Sequence, residues 1–121
     1  MSKKILIVED TQLWVDFYQQ GLEGKDVTII SALTVEEAET AFFANSNIDL
    51  IVMDFSVPRT RTSKLTVDTL PLVRKFRETF PGPMIAASLS LFSSKILINM
   101  GCNSMSSKED VPGNVISILC L

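Results

Sequence analysis

The chain has no histidine among its 121 residues. This absence excludes Ser-His-Asp and Cys-His catalysis, general acid–base chemistry by an imidazole, and metal sites with histidine ligands. The only two cysteines, Cys102 and Cys120, are too few for a disulfide framework and lack metal-ligand spacing. We predict that both are small buried side chains of a protein in a reducing compartment.

Long apolar runs and an excess of positive charge are also missing. The amino terminus has only four consecutive apolar residues, at positions 5–8, which is too short for a signal peptide, and no run approaches the roughly 18 residues of a membrane span. We therefore expect a soluble, cytoplasmic protein. The formal net charge of −3 argues against a general binder of nucleic acid or anionic membrane, because both need a basic surface.

The composition that is present is that of a globular protein, with 46% hydrophobic and 21% charged residues. This length and composition predict a single domain over residues 1–121. Four short, nearly continuous apolar runs are typical of strands in a parallel sheet that is covered on both faces. The runs lie at residues 5–8, 27–30, 48–53 and 84–87, and a weaker fifth candidate at 103–106 depends mainly on Met105.

Segments of helical length alternate with these runs. The first spans about residues 11–23 and is followed by Gly24 as a stop signal. The second opens with a capping box formed by Thr34 and Glu37. The apolar faces predicted for the first and fourth helices are Leu13, Trp14, Phe17 and Tyr18, and Phe92, Ile96 and Met100.

Five strands that alternate with five helices predict the α/β class. The expected architecture is a doubly wound, five-stranded parallel sheet of the (βα)5 flavodoxin-like type, with strand order 2-1-3-4-5. The segment at residues 56–69 is polar and long for a connection between a strand and a helix. We predict that it is irregular.

Carboxylates follow two strands that this order makes neighbours. Glu9 and Asp10 come directly after the first run, and Asp54 comes directly after the third. In a parallel sheet these side chains meet at one edge, where two unit charges 4 Å apart repel by about 4 kcal/mol at an effective dielectric constant of 20. A hard divalent cation, of which Mg²⁺ is the best candidate, would relieve this repulsion.

Together these residues resemble the receiver domain of two-component response regulators. The resemblance is carried by Glu9-Asp10, by Asp54 with Pro58 four residues later, by Ser88 after the fourth strand and by Lys108 after the fifth. It extends over essentially the whole chain. Each motif is short, but their joint order on a (βα)5 pattern is specific.

The resemblance implies a role for each of these residues. Asp54 would accept a phosphoryl group as an acyl phosphate. Asp10, Asp54 and the backbone carbonyl of Ser56 would hold Mg²⁺, and Glu9 would act through a coordinated water. Lys108 would pair with Asp54 and then with the phosphoryl oxygens, and Ser88 would hydrogen-bond the phosphoryl group. The implied partners are a histidine kinase or phosphotransfer protein and a downstream protein target, with homodimerisation as a further route for output.

The sequence departs from the family pattern in four respects. Met105 stands where an aromatic residue is expected, so the usual rotamer switch cannot operate in its normal form, and Glu109 replaces the proline after the lysine. The loop after Pro58 lacks the family's glycine-containing turn and is several residues longer. The fifth helix ends the chain, so we expect no effector domain. The loop's basic residues, Arg59, Arg61 and Lys64, are expected to be solvated, with docking or steering of a phosphodonor as the alternative.

Other interpretations of these residues are open. Asp10 alone could cap the first helix, and Lys108 alone could be a surface lysine. The chain could also be a degenerate receiver that binds partners without phosphorylation. An enzyme is less well supported: a haloacid-dehalogenase-type phosphatase needs a second aspartate where Ser56 stands, and a flavodoxin needs a phosphate cradle where Glu9 and Asp10 stand. We expect no enzymatic activity beyond self-phosphorylation and autodephosphorylation that depend on Mg²⁺.

Overall fold

Residues 2–121 form seven strands and five helices. The computed structural model describes residues 2–121. The strands are β1 (Lys3–Val8), β2 (Val27–Ala32), β3 (Leu50–Met53), β4 (Ser56–Pro58), β5 (Thr66–Asp68), β6 (Met84–Ala87) and β7 (Ser104–Ser106). The helices are α1 (Gln12–Gly21), α2 (Val35–Ala44), α3 (Leu70–Arg77), α4 (Leu91–Met100) and α5 (Val111–Leu119).

Five of the strands form one parallel sheet. Its order is β2-β1-β3-β6-β7. This arrangement confirms the predicted doubly wound fold, because the five sheet strands taken in chain order give 2-1-3-4-5. No helix among residues 2–121 is long and apolar enough to cross a bilayer.

The central strands are buried on both faces, and alternate residues feed two separate cores. On β1, Leu6 and Val8 pack into the core under α2, α3 and α4, whereas Ile5 and Ile7 pack into the core under α1 and α5. All four side chains are fully buried. The continuous apolar run at residues 5–8 follows from this two-sided coverage, since neither face of the strand meets water.

The segment at residues 56–69 is ordered, so the prediction of an irregular loop was wrong. β4 and β5 form an antiparallel hairpin in which Val57 pairs with Val67. Val57 is fully buried in the core under α2 and α3. At the far end of the hairpin the Arg61 guanidinium makes two hydrogen bonds to the Glu37 carboxylate on α2. The hairpin thereby gains apolar and ionic contacts that its polar sequence did not indicate.

In two helices the buried face agrees only in part with the one predicted, because Tyr18 is buried as expected but Leu13 and Phe92 are not. In α1 the buried residues are Val15 and Tyr18, while Leu13 is 74% exposed. In α4 the buried residues are Ser94 and Leu97, while Phe92 is 74% exposed. Both helices carry apolar side chains on more than one face, so spacing alone could not identify the side that contacts the sheet.

The Thr34 cap and the Gly24 turn are confirmed, but the reciprocal half of the capping box is not, because the Glu37 carboxylate accepts from the Leu33 N–H. The cysteine prediction holds for one residue only. The Thr34 hydroxyl accepts a hydrogen bond from the backbone N–H of Glu37 at the start of α2. Gly24 has a φ of +81°, a conformation that suits glycine after a helix. Cys102 is buried, but Cys120 is exposed because it follows the last turn of α5.

Arg77 connects the elements at the amino-terminal edge of the sheet. Its guanidinium donates hydrogen bonds to the carbonyls of Gly101, Phe80 and Gly82, at 2.8, 2.9 and 2.6 Å. A further hydrogen bond of 2.5 Å reaches the side-chain oxygen of Asn103. One side chain therefore holds the end of α4 and the segments that lead into β6 and β7.

Candidate functional site

The carboxylates lie at the opposite edge of the sheet, as predicted. Val8 pairs with Met53 in the register of β1 and β3, so the next residues, Glu9 and Asp54, emerge side by side. The ladder continues into both residues: the Asp54 N–H donates to the Val8 carbonyl at 3.0 Å and the Glu9 N–H donates to the Ala32 carbonyl at 3.0 Å. Their positions are therefore fixed by the sheet itself.

Asp10 completes a cluster of three carboxylates. One oxygen from each of Glu9, Asp10 and Asp54 lies within 4.8 Å of the others. Glu9 and Asp54 are 1% and 8% exposed, whereas Asp10 is half-buried. Asp10 is not the cap of α1, because Thr11 occupies that position. The cluster consequently has a buried floor and one carboxylate on the solvent side.

Lys108 lies in the cluster rather than on the surface. Its side chain is 5% exposed, and its ammonium group is 2.7 Å from Oε1 of Glu9 and 3.4 Å from Oδ2 of Asp54. The Lys108 ammonium also lies 5.8 Å from the ring centroid of Trp14. Lys108 is the ammonium group that the sequence predicted here, but it contacts Glu9 more closely than Asp54.

Burial sets the protonation of the cluster. The pKa of Glu9 is raised to about 7, mainly by burial and then by the charge of Asp54, while Lys108 opposes the shift. Burial also raises the pKa of Asp54, again against the effect of Lys108. For Lys108 burial acts to lower the pKa, but the two carboxylates outweigh it and the net shift is upward. One ammonium group does not neutralise three carboxylates.

The donor set fits a magnesium ion. Three carboxylate oxygens within 4.8 Å of one another are close enough to be drawn around one hard cation, whose oxygen ligands lie about 2.0–2.1 Å from the ion. A divalent cation would also offset two negative charges that Lys108 leaves uncompensated. The chemistry of hard oxygen ligands around a buried negative charge suits Mg²⁺ better than a softer metal.

The register of the hairpin directs the Ser56 carbonyl away from β5. The Thr69 N–H donates to the Phe55 carbonyl at 2.8 Å, which identifies these residues as a hydrogen-bonded pair of the β4–β5 ladder. Antiparallel pairs alternate, so the next pair, Ser56 with Asp68, has its backbone groups directed away from the partner strand. The Ser56 carbonyl is thus not used by the ladder.

Ser88 and Met105 lie beside the cluster rather than in it. The Ser88 hydroxyl accepts a hydrogen bond from the Ser90 N–H at 3.2 Å, and among residues 2–121 no hydrogen bond joins Ser88 to the carboxylates or to Lys108. Met105 is 39% exposed and lines, with Ser88 and Ser94, a cleft of about 320 Å³. The Lys108–Glu109 peptide bond is trans, as expected without proline.

Sequence reasoning missed two residues around the site. Trp14 packs against the core under α1 and α5, as interpreted, but its ring also lies beside the Lys108 ammonium. Thr69 was placed at the end of the loop, yet its buried hydroxyl donates to the backbone carbonyl of Asp54 at 2.6 Å. The one available signal, a threonine just before the third helix, indicates a helix cap rather than a contact with the site.

Comparisons of structure, not of sequence, identify similar proteins. No family model matches the chain, and no curated protein matches it at a significant level. A two-component response regulator from Clostridium difficile superimposes with a TM-score of 0.79 and 24% identity, over 98% of this chain and 97% of that one. A CheY-like receiver domain protein from Methanospirillum hungatei JF-1 gives 0.78 and 23%, over 99% and 92%.

A third neighbour is a response regulator from Burkholderia pseudomallei whose structure contains a phosphorylated aspartic acid and a calcium ion. It superimposes with a TM-score of 0.77 and 16% identity, over 98% of this chain and 66% of that one. At these identities the likeness concerns the fold. Over almost its whole length, this chain has the fold of response regulator receiver domains.

Proposed function

We propose that residues 1–121 act as a phospho-acceptor receiver domain in which Asp54 takes up a phosphoryl group. The observation that carries the proposal is the buried cluster of Glu9, Asp10 and Asp54 with Lys108 at the carboxyl edge of the sheet. The sequence indicates each of these residues as a candidate for this site. The receiver-domain fold of the chain supports the same function.

The chemistry asked of Asp54 is a nucleophilic substitution at phosphorus. A carboxylate oxygen of Asp54 forms a bond to phosphorus while the donor's bond from phosphorus to a histidine nitrogen breaks, and that nitrogen keeps the electron pair. Lys108 then moves from the carboxylates toward the phosphoryl oxygens, and Ser88 turns its hydroxyl to them. Hydrolysis of the acyl phosphate returns Asp54 to a carboxylate.

We assign the magnesium ligands as Asp10, Asp54 and the Ser56 carbonyl, with Glu9 acting through a water. When bound, the ion supplies positive charge that lets a phosphoryl dianion approach three carboxylates. The Burkholderia neighbour contains a phosphorylated aspartic acid and a calcium ion, which supports phospho-acceptance and divalent-cation binding by this fold. The half-buried position of Asp10 gives that carboxylate access to solvent, which an exchangeable ion needs.

The proposed role is signalling in the cytoplasm. A histidine kinase or a phosphotransfer protein would supply the phosphoryl group. A downstream protein, or a second copy of the chain, would bind the phosphorylated form because its conformational population is shifted. Beyond its own phosphorylation and dephosphorylation, we propose no enzymatic activity.

A degenerate receiver that binds partners without phosphorylation is the second candidate. Two observations favour it: the Lys108 ammonium is closer to Glu9 than to Asp54, and Met105 does not provide an aromatic switch. In this case the fold would be kept while Asp54 is inert. The two candidates differ in whether Asp54 can be modified.

Incubation with Mg²⁺ and acetyl phosphate, followed by mass spectrometry of the intact protein, tests the proposal. We expect a gain of one phosphoryl group that is lost when the metal is chelated and in Asp54→Asn. Asp16→Asn is the matched control, because Asp16 is an exposed carboxylate on α1, and it should be modified like the wild type. Absence of any gain with acetyl phosphate would reject phospho-acceptance and favour the binding module.

A further inference from the structure

We infer that Thr69, at the base of the β4–β5 hairpin, is a positioning residue that orients the Asp54 carboxylate through the peptide group between Asp54 and Phe55. The inference rests on the proposed function for its catalytic consequence. The orientation of the Asp54 carboxylate by Thr69 does not depend on that function.

The first observation is that Thr69 does not do what its position suggests. It precedes α3 as the N-cap residue, but its side chain makes no capping hydrogen bond. Its hydroxyl instead lies 2.6 Å from the carbonyl oxygen of Asp54 and 3.1 Å from that of Phe55. The side chain is fully buried. A threonine that gives up a stabilising cap for a contact with the site residue indicates a requirement at the site.

The second observation is a chain of contacts that leads from Thr69 to the carboxylate. The Asp54 carbonyl, which accepts the Thr69 hydroxyl, and the Phe55 N–H belong to one planar peptide group. The Phe55 N–H donates to Oδ1 of Asp54 at 2.8 Å. When Thr69 fixes the carbonyl end of this plane, it also fixes the direction of the N–H that holds Oδ1.

The third observation is that the other oxygen has a different partner. Oδ2 of Asp54 faces Lys108 at 3.4 Å. The carboxylate is therefore oriented from both sides, by Lys108 at Oδ2 and by the peptide group at Oδ1. If that peptide plane were free to rotate, Oδ1 would lose its donor and the carboxylate could turn about its own bond. Attack on phosphorus depends on this orientation.

Thr69→Val and Thr69→Ser separate the hydroxyl from the shape of the side chain. Valine has nearly the same shape but no donor, whereas serine keeps the donor. Thr34→Val is the matched control, because Thr34 is another buried threonine whose hydroxyl caps α2 and does not touch Asp54. Should Thr69→Val not fold, Thr69→Ala replaces it in the same comparison.

The first measurement is independent of phosphorylation: the amide proton shift and hydrogen exchange of Phe55, by nuclear magnetic resonance. In Thr69→Val we expect an upfield shift and faster exchange, with wild-type behaviour in Thr69→Ser and Thr34→Val. An unchanged Phe55 amide in Thr69→Val, or an equal change in Thr34→Val, would overturn the inference. This result stands whether or not the protein accepts phosphate.

The second measurement is the rate of phosphorylation by acetyl phosphate at saturating Mg²⁺. We expect a decrease of about tenfold in Thr69→Val and a rate within twofold of wild type in Thr69→Ser and Thr34→Val. Equal rates in Thr69→Val and Thr34→Val would overturn the catalytic consequence. A wild-type protein that takes up no phosphate would reject the proposed function instead, and the Phe55 amide would still decide whether Thr69 orients the Asp54 carboxylate.

Discussion

At the scale of single residues, the site is governed by an ammonium group shared unequally between two buried carboxylates. Lys108 is 2.7 Å from Glu9 and 3.4 Å from Asp54. The closer contact with Glu9 compensates a charge that would otherwise be buried without a partner.

Trp14 should report occupation of the site, because its ring centroid is 5.8 Å from the Lys108 ammonium and it is the only tryptophan in the chain. We expect a saturable change in its fluorescence on titration with Mg²⁺, since a cation among the carboxylates changes the charge beside the ring. The measurement is a fluorescence titration with MgCl₂ at constant ionic strength.

Asp10→Asn should raise the midpoint of this titration at least tenfold, because it removes a proposed ligand (about tenfold corresponds to 1.4 kcal/mol of binding free energy). Asp16→Asn should leave the midpoint unchanged. A fluorescence change that has the same midpoint in both variants would contradict magnesium binding at the carboxylate cluster.

The proximity of side chains that follow neighbouring strands could be predicted, because the strand order of the sheet brings the strand ends together. The convergence of Glu9, Asp10 and Asp54 needed only the alternation of runs and the order of strands, whereas the place of Lys108 among them came from the resemblance to receiver domains. The contact of Thr69 could not be predicted, because it depends on the return path of a hairpin whose existence the polar sequence concealed. A hydroxyl before a helix has an ordinary capping role that accounts for it without the site.

At the scale of elements, α4 shows why spacing did not identify the buried face. Its apolar residues are distributed around the helix, and the sheet contacts the side that carries Ser94 and Leu97. Leu91 and Phe92 in the first turn extend past the sheet and are 64% and 74% exposed. Periodicity identifies a face only when one side of a helix is clearly more apolar than the other.

Substitutions on the two faces of α4 should therefore differ in their effect on stability. Leu97→Ala should lower the free energy of unfolding by about 2–5 kcal/mol, because the side chain is fully buried and leaves a cavity. Phe92→Ala should change it by less than about 0.5 kcal/mol. Urea denaturation monitored by circular dichroism measures both, and a larger loss in Phe92→Ala would contradict the face assigned to α4.

The hairpin illustrates a second limit at this scale. Two three-residue strands with a polar tip are below the length at which alternation is recognisable. Their order depends on contacts that are distant in sequence: Val57 in the core, and Arg61 on the Glu37 carboxylate. The ion pair between Arg61 and Glu37 contributes little to the stability of the hairpin, because the Arg61 side chain is 67% exposed to solvent. The hairpin is thus held mainly from its base.

At the scale of the whole molecule, stability should depend on pH through the buried cluster. The pKa of Glu9 is about 7 in the folded chain and near 4.5 when the carboxyl group is exposed. Between these values the folded state holds more protons than the unfolded state, so stability decreases as the pH rises. The loss is complete about one pH unit above the folded-state pKa and is on the order of 3 kcal/mol.

Denaturation in the presence of a chelator at pH 5 and at pH 8 measures this effect. The wild type should be less stable at pH 8, and Glu9→Gln should show a smaller decrease, because glutamine does not ionise. Glu23→Gln is the control at an exposed position and should behave like the wild type. Equal decreases in the wild type and Glu9→Gln would show that Glu9 does not cause the dependence.

The global fold was predictable from the sequence because each central strand is covered on both sides and so appears as an uninterrupted apolar run. The five-strand order that we expected is that of the flavodoxin-like type of doubly wound sheet. What could not be predicted is local: the face that α1 turns to the sheet, the exposure of Cys120, and the hairpin. In each case the sequence allows two arrangements that bury similar amounts of apolar surface, so the pattern of residues does not distinguish between them.

Arg77 and the acidic cluster lie at opposite ends of the parallel strands. The four hydrogen bonds of Arg77 tie loops together at one rim of the sheet, and the acidic cluster occupies the other rim. Changes in the loops around the acidic cluster therefore leave intact the hydrogen bonds that hold the later strands and helices in place. This separation leaves one end of the fold free to diversify while the other preserves the architecture.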